Sequence, residues 1–155
     1  MNILVSACLL GVDCRYDGTG CLLPILEELK ERHHLIPICP DAFGGLPIPR
    51  PPAEILDGKV INAEGADVTR QYEKGAREIL KLARLFNCEA AILKERSPAC
   101  GFGKVHNGLF DGGLVEGNGV LAGLLSREGL IIIGETQTDR LARLWLLRDF
   151  PGALT

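Results

Sequence analysis

The chain has 155 residues, 46% of them apolar and 24% charged, with a net charge of -3. A chain of about 150 residues buries roughly 70% of its unfolded surface, enough for one core without disulfide staples. The slight acidity, without a basic tail or Lys/Arg run, excludes an extended nucleic-acid surface that works by phosphate neutralisation. No apolar run approaches the roughly 20 residues of a membrane span. Residues 1–12 are apolar but lack the basic leader and cleavage site of a signal peptide. The expectation is a cytoplasmic protein with no membrane contact, folded as one domain over residues 1–155; the oligomeric state stays open.

In chain order, the first apolar run is Ile3 to Ala7. Its shortness and lack of polar alternation predict a strand buried on both faces of a parallel sheet. Leu23, Leu26 and Leu29 then repeat at helical spacing, predicting a helix over 23–32. A second strand follows at Leu35 to Ile38. The Gly/Pro-rich segment 40–67 contains "LDGKVI", a two-residue hairpin signal. Tyr72, Ala76, Ile79, Leu80, Ala83 and Phe86 form one apolar stripe, predicting a helix over 69–87 in which Gly75 costs about 1 kcal/mol relative to alanine. A third strand, Ala90 to Leu93, leads into a second glycine-rich segment, 97–118, where "VHNGLF" is another hairpin signal. A helix over 120–127, with Asn118 as candidate cap and Gly129 past its end, precedes a fourth strand at Leu130 to Ile133. The last helix is expected over 139–149, with Trp145 on its packed side. Strands alternating with helices predict an α/β fold, a small Rossmann-like three-layer sandwich with a mostly parallel sheet.

The six cysteines divide by position. Cys8 directly follows the first strand, Cys39 the second, and Cys100 comes one short turn after the third. In a parallel sheet these points share the carboxyl edge, where open α/β folds bind ligands. Three thiols on that edge need compensating positive charge, which a metal supplies best; Arg15, Arg50, Lys94, Arg96 and Lys104 leave the same edge and would lower thiol pKa values. Cysteine is also a common core residue, so coincidental burial competes with a site. Zinc on these thiolates plus His106 is a second alternative, weakened by the absence of close ligand spacing. A [4Fe–4S] cluster on Cys8, Cys39 and Cys100 suits the pattern better, because three protein thiolates leave one iron open. Cys88 reads as a small core residue. Cys14 and Cys21 are spare thiols, extra ligands or a disulfide; a thiol redox site there lacks a CxxC.

"SACLLG" with "CRYDG", "CPDAFGGLPIPRPPAE", "LKERSPACG" and "GNGVLAGLLSREG" together resemble the bacterial thiouracil desulfidase family. The resemblance covers nearly the whole chain and implies a Rossmann-like domain with a [4Fe–4S] cluster on Cys8, Cys39 and Cys100. It implies desulfuration of a thiolated pyrimidine such as 2-thiouracil to uracil, the substrate's sulfur being captured by the open iron. The family's catalytic serine falls on Ser97. Its catalytic carboxylate, a glutamate, is Asp41 here, one methylene shorter, where a base must come within about 3 Å of its proton. The partner implied is a small thiolated nucleobase; a non-enzymatic zinc or iron–sulfur binding module is the alternative.

The residues themselves admit other readings. Asp41 is also suited to cap the turn after Pro40, and Ser97 to initiate a turn before Pro98. Gly44 and Gly45 would let backbone N–H groups approach a substrate, or simply make a turn. Arg50 would orient an anion or a pyrimidine carbonyl, or form a surface ion pair. "GNG" lacks the Lys-Ser/Thr of a phosphate loop.

Overall fold

In this computed structural model, which describes residues 1–149 and side chains through residue 144, the chain begins with β1 (Asn2–Ser6) and a tight turn over 7–10. Next come α1 (Leu26–Leu29), β2 (His34–Ile38), α2 (Pro40–Phe43), β3 (Ala53–Leu56), β4 (Lys59–Asn62) and α3 (Thr69–Leu85). The remainder is β5 (Ala90–Leu93), β6 (Lys104–His106), β7 (Leu114–Glu116), α4 (Val120–Arg127), β8 (Ile131–Gly134) and α5 (Asp139–Asp149).

Four of these strands form a parallel sheet in the order β2-β1-β5-β8. Along β1, side chains alternate between two apolar layers, because successive strand residues point to opposite faces. Leu4 joins Ile38, Ala91, Leu93 and Ile132 beneath Ile79, Leu80 and Ala83 of α3 and Leu121 and Leu125 of α4. Ile3 and Val5 join Ala90, Ile92 and Ile133 against Leu26 and Leu141. Both faces are therefore covered, and strands so placed read as unbroken apolar runs. The chain leaves β1 towards β2 and later returns to β1's other side as β5, so a crevice opens at the carboxyl ends of β1 and β5.

The α/β sandwich is as expected, and α4 and α5 run over the expected residues. Trp145's side chain lies outside the described residues. Over 23–32 only one α-helical turn forms, flanked by i to i+3 bonds such as Glu27 N–H to Pro24 O and Arg32 N–H to Leu29 O. That crossover is a string of tight turns rather than a full helix. α3 stops at Leu85, which leaves Phe86 44% exposed instead of in the stripe. Asn118 does not cap α4: Gly119 holds the cap position, and Asn118 Oδ1 accepts from the Gly103 N–H.

The two glycine-rich segments each carry a hairpin. Asp57 and Gly58 both have positive φ (50° and 76°), as a two-residue turn between β3 and β4 requires. The other hairpin does not turn at Asn107-Gly108. β6 pairs with β7 across a loop over 107–113, and Asn107 instead braces that loop through Leu109 N–H and Asp111 Oδ1. No helix among the described residues is long and apolar enough to cross a membrane.

Candidate active site

Cys8, Cys39 and Cys100 all line one cleft of about 440 Å³ at the carboxyl edge of the sheet. β1 delivers Cys8 through the tight turn at its end, and β2 delivers Cys39 immediately before α2. After β5 the chain turns through Ser97, whose Oγ accepts from the Cys100 N–H at 2.7 Å and fixes the thiol's backbone. Ser6, at the last position of β1, donates its hydroxyl to Cys100 Sγ (3.3 Å) and accepts from the Lys94 N–H. Cys8 and Cys100 are buried and Cys39 partly so.

Cys14 belongs to the same wall. It is buried and lines the cleft. Its carbonyl accepts from Cys39 Sγ and from Arg50 Nη2. Reading the sequence as a line missed this, because the loop after β1 folds back over the edge. Cys14 and Cys21 are both free thiols, and Cys88 packs partly buried against the core.

Cations on this edge lower the thiol pKa values as expected, but burial outweighs them. Burial pushes Cys8 up to about 11, although Lys94 and Arg15 act against it. Burial, then the neighbouring Cys39 and Cys8, pushes Cys14 up to about 12. Cys100 is raised as well, by burial above all and despite the Ser6 hydroxyl. Lys94 is engaged by Glu135 at 2.6 Å, which blunts its field at the thiols. Lys104 is absent from the cleft wall.

Asp41 stands in the first turn of α2 and faces the thiols across the cleft. Its Oδ2 accepts from the Tyr72 hydroxyl (2.8 Å) and pairs with Arg50 Nη2 (3.2 Å). Tyr72, in the first turn of α3, reads in the sequence as one residue of the apolar stripe; a buried tyrosine needs a partner for its hydroxyl, and that need was the available signal. Burial and the Asp41 charge raise its pKa, so it stays a proton donor. Arg50 is no surface ion pair, its side chain being only 7% exposed.

Gly44 and Gly45 do not line the cleft. A Cβ on Gly44 would sit 2.0 Å from Gln71 O, and one on Gly75 would sit 1.9 Å from Pro40 O. These two glycines let α2 lie directly on α3, and that contact holds Cys39 and Asp41 in place. Gly45 has φ of 92°, a conformation for the turn that leaves α2.

The hairpins close the other side of the cleft. Glu54, buried at the start of β3, accepts from the N–H groups of Gly108 and Phe110 through Oε1. This ties the 107–113 loop down and brings His106 and Phe110 to the rim.

A soft, multiply charged centre fits this donor set: buried thiols that hold their protons strongly when alone are best discharged by a cation that binds sulfur. Zinc would need its ligands about 2.3 Å from one point, and among the described residues no three His, Cys, Asp or Glu side chains are grouped to hold a metal ion. A four-iron cluster is bulkier and accepts thiolates spread more widely.

A family model described as 2-thiouracil desulfurase matches residues 3–137. The uncharacterized protein YbbK of Bacillus subtilis (strain 168) is 40% identical over 147 residues, which covers 88% of this chain and 97% of YbbK. A solved structure described as the [4Fe-4S]-dependent thiouracil desulfidase TudS is 40% identical, superposes with a TM-score of 0.89, and is covered to 98% by 94% of this chain. Motif, fold and relatives agree: the chain belongs to the 2-thiouracil desulfurase family.

Proposed function

We propose that the chain hydrolyses the carbon–sulfur bond of a thiolated pyrimidine such as 2-thiouracil, giving uracil and sulfide, with a [4Fe–4S] cluster on Cys8, Cys39 and Cys100. The observation that carries this reading is the convergence of three strand-end thiols, one carboxylate and one hydroxyl on a single cleft. The reaction is redox-neutral: water's oxygen bonds to the ring carbon, and the carbon–sulfur bond breaks. When bound, the cluster supplies a soft iron acceptor for the leaving sulfur.

The chain's own groups handle the protons. Tyr72 and Arg50 both engage Asp41 Oδ2, which holds the carboxylate in one orientation and leaves Oδ1 to accept a proton from the attacking water. This bracing from α3 and the 47–50 segment fixes where the shorter carboxylate stands. Ser97 Oγ already accepts from the Cys100 N–H and lines the cleft, which leaves its own O–H to donate to the departing sulfur or the ring.

Oxygen-free purification and metal analysis test the reading. About four iron and four sulfide per chain, together with uracil formed from 2-thiouracil and lost in Asp41→Asn, are expected. Stoichiometric zinc, or a cluster-loaded sample that leaves 2-thiouracil intact, would overturn it.

A further inference from the structure

Two buried side-chain nitrogens among the described residues have no hydrogen-bond partner, Arg50 Nε and His106 Nδ1. Both residues line the same cleft. Buried polar atoms are nearly always satisfied, so two exceptions on residues that line one cavity point to a ligand that satisfies them.

Each atom is fixed by what surrounds it. Arg50 uses Nη2 on Asp41 and on the carbonyl of Cys14, and Nη1 on the carbonyl of Pro47. Its backbone N–H donates to Tyr16 O. The guanidinium is thus held at one end, and Nε–H, an obligatory donor, is left over. His106 enters from the hairpin side. Its backbone pairs with Leu114 and donates to Arg96 O, so the ring is carried on a defined strand. Glu54, on the same wall, has its Oε1 taken by the loop N–H groups. Nδ1 therefore awaits a partner that the protein does not provide.

We propose that Arg50 and His106 form a clamp for the oxo-bearing edge of the substrate ring. Arg50 Nε–H donates to the exocyclic carbonyl oxygen, and His106 Nδ1 accepts from the ring N–H beside it. The inference rests on the desulfidase reading and narrows its substrate class: the thiol wall takes the sulfur, while the clamp selects rings that present a carbonyl next to an N–H. Pyrimidine-2-thione offers the same sulfur but replaces that edge with a C–H and a bare ring nitrogen. A site built to pair with a polar group discriminates strongly against an analogue that lacks it, because its own groups are then buried unpaired.

The test uses cluster-loaded protein and two readouts. In equilibrium binding, uracil carries the full edge and pyrimidine, which has neither carbonyl nor ring N–H, does not; uracil is expected to bind at least roughly tenfold more tightly. His106→Leu should remove most of that preference with iron content and visible spectrum unchanged, and His106→Asn, whose amide oxygen can stand near Nδ1, should restore part of it. In turnover, kcat/KM for 2-thiouracil should exceed that for pyrimidine-2-thione by roughly 100-fold, and His106→Leu should raise KM more than it lowers kcat. Equal binding of uracil and pyrimidine by the wild-type protein overturns the clamp, as does a preference that His106→Leu leaves intact. Should His106→Leu fail to fold, the wild-type comparison of the two ligands decides alone. A uracil preference without turnover of any thiopyrimidine would retain the clamp and sink the desulfidase reading.

Discussion

Cys8, Cys39 and Cys100 leave the sheet at strand ends fixed by parallel pairing, whereas His106 and Glu54 reach the same cleft from two short antiparallel hairpins. The difference is one of anchorage. β1 and β5 are packed on both faces, so a thiol at their ends cannot shift without moving the core. The hairpins hold together through a few ladder bonds and one buried carboxylate, and β7 is exposed along its length. Chemistry that needs fixed sulfurs sits on the rigid side; recognition that can vary sits on the adjustable one.

Breaking the rigid side should have the largest effect. Cys100→Ser is expected to abolish the brown chromophore and reduce turnover to background, at least roughly 1,000-fold, with iron analysis as the check. Cys14→Ser sharpens the contrast: it should keep about four iron per chain, because only three thiols serve as ligands in the proposed site.

One step smaller is the proton machinery between the two sides. Asp41→Asn should lower kcat by about 10²–10⁴ with iron content unchanged. Tyr72→Phe, which removes one brace on Asp41 but no reacting group, should cost roughly tenfold in kcat. Steady-state kinetics at matched iron loading separates the two.

Packing beneath the site comes next. Gly75→Ala puts a Cβ against the Pro40 carbonyl, so α2 must move off α3. Overpacking of this kind costs about 1–3 kcal/mol, read from the midpoint of chemical denaturation. On the hairpin side, Glu54→Gln keeps the shape but removes the charge from the bonds to Gly108 and Phe110. A loss of about 1 kcal/mol is expected, with faster amide exchange confined to the 107–113 loop.

The smallest effect is electrostatic. Cys8 and Cys14 titrate near 11 and 12 in the fold against an ordinary value of 9.0. Between these values the unfolded chain binds fewer protons than the folded one. Stability present below pH 9 is therefore lost as pH rises towards 11 and 12. Denaturation of the metal-free chain across that range should show the decline, and Cys14→Ala should flatten part of it.

Much of this was legible in the sequence. Unbroken apolar runs marked β1, β5 and β8 because both faces are covered there, and the stripe on α3 marked its buried face because helical period and burial coincide. The Asp57-Gly58 turn was legible since its chemistry is local. Asn107-Gly108 misled for the complementary reason: the same dipeptide signal was overridden when Glu54, far away in sequence, captured the loop's N–H groups. Gly75 read as a local helix penalty, and only the contact with α2 shows why no other residue fits.

By itself the sequence determined the order of the four sheet strands and of α3, α4 and α5, and the placement of Cys8, Cys39 and Cys100 after strands, because local periodicity and chain order carry that information. The tertiary structure decided what meets those thiols: Cys14 folded back beside Cys39, Tyr72 and Arg50 on Asp41, and His106 across the cleft. Most of these residues lie far apart in the chain, and the packing of α2 on α3 and of the hairpins on the sheet edge, which no local pattern encodes, brings them to one cleft.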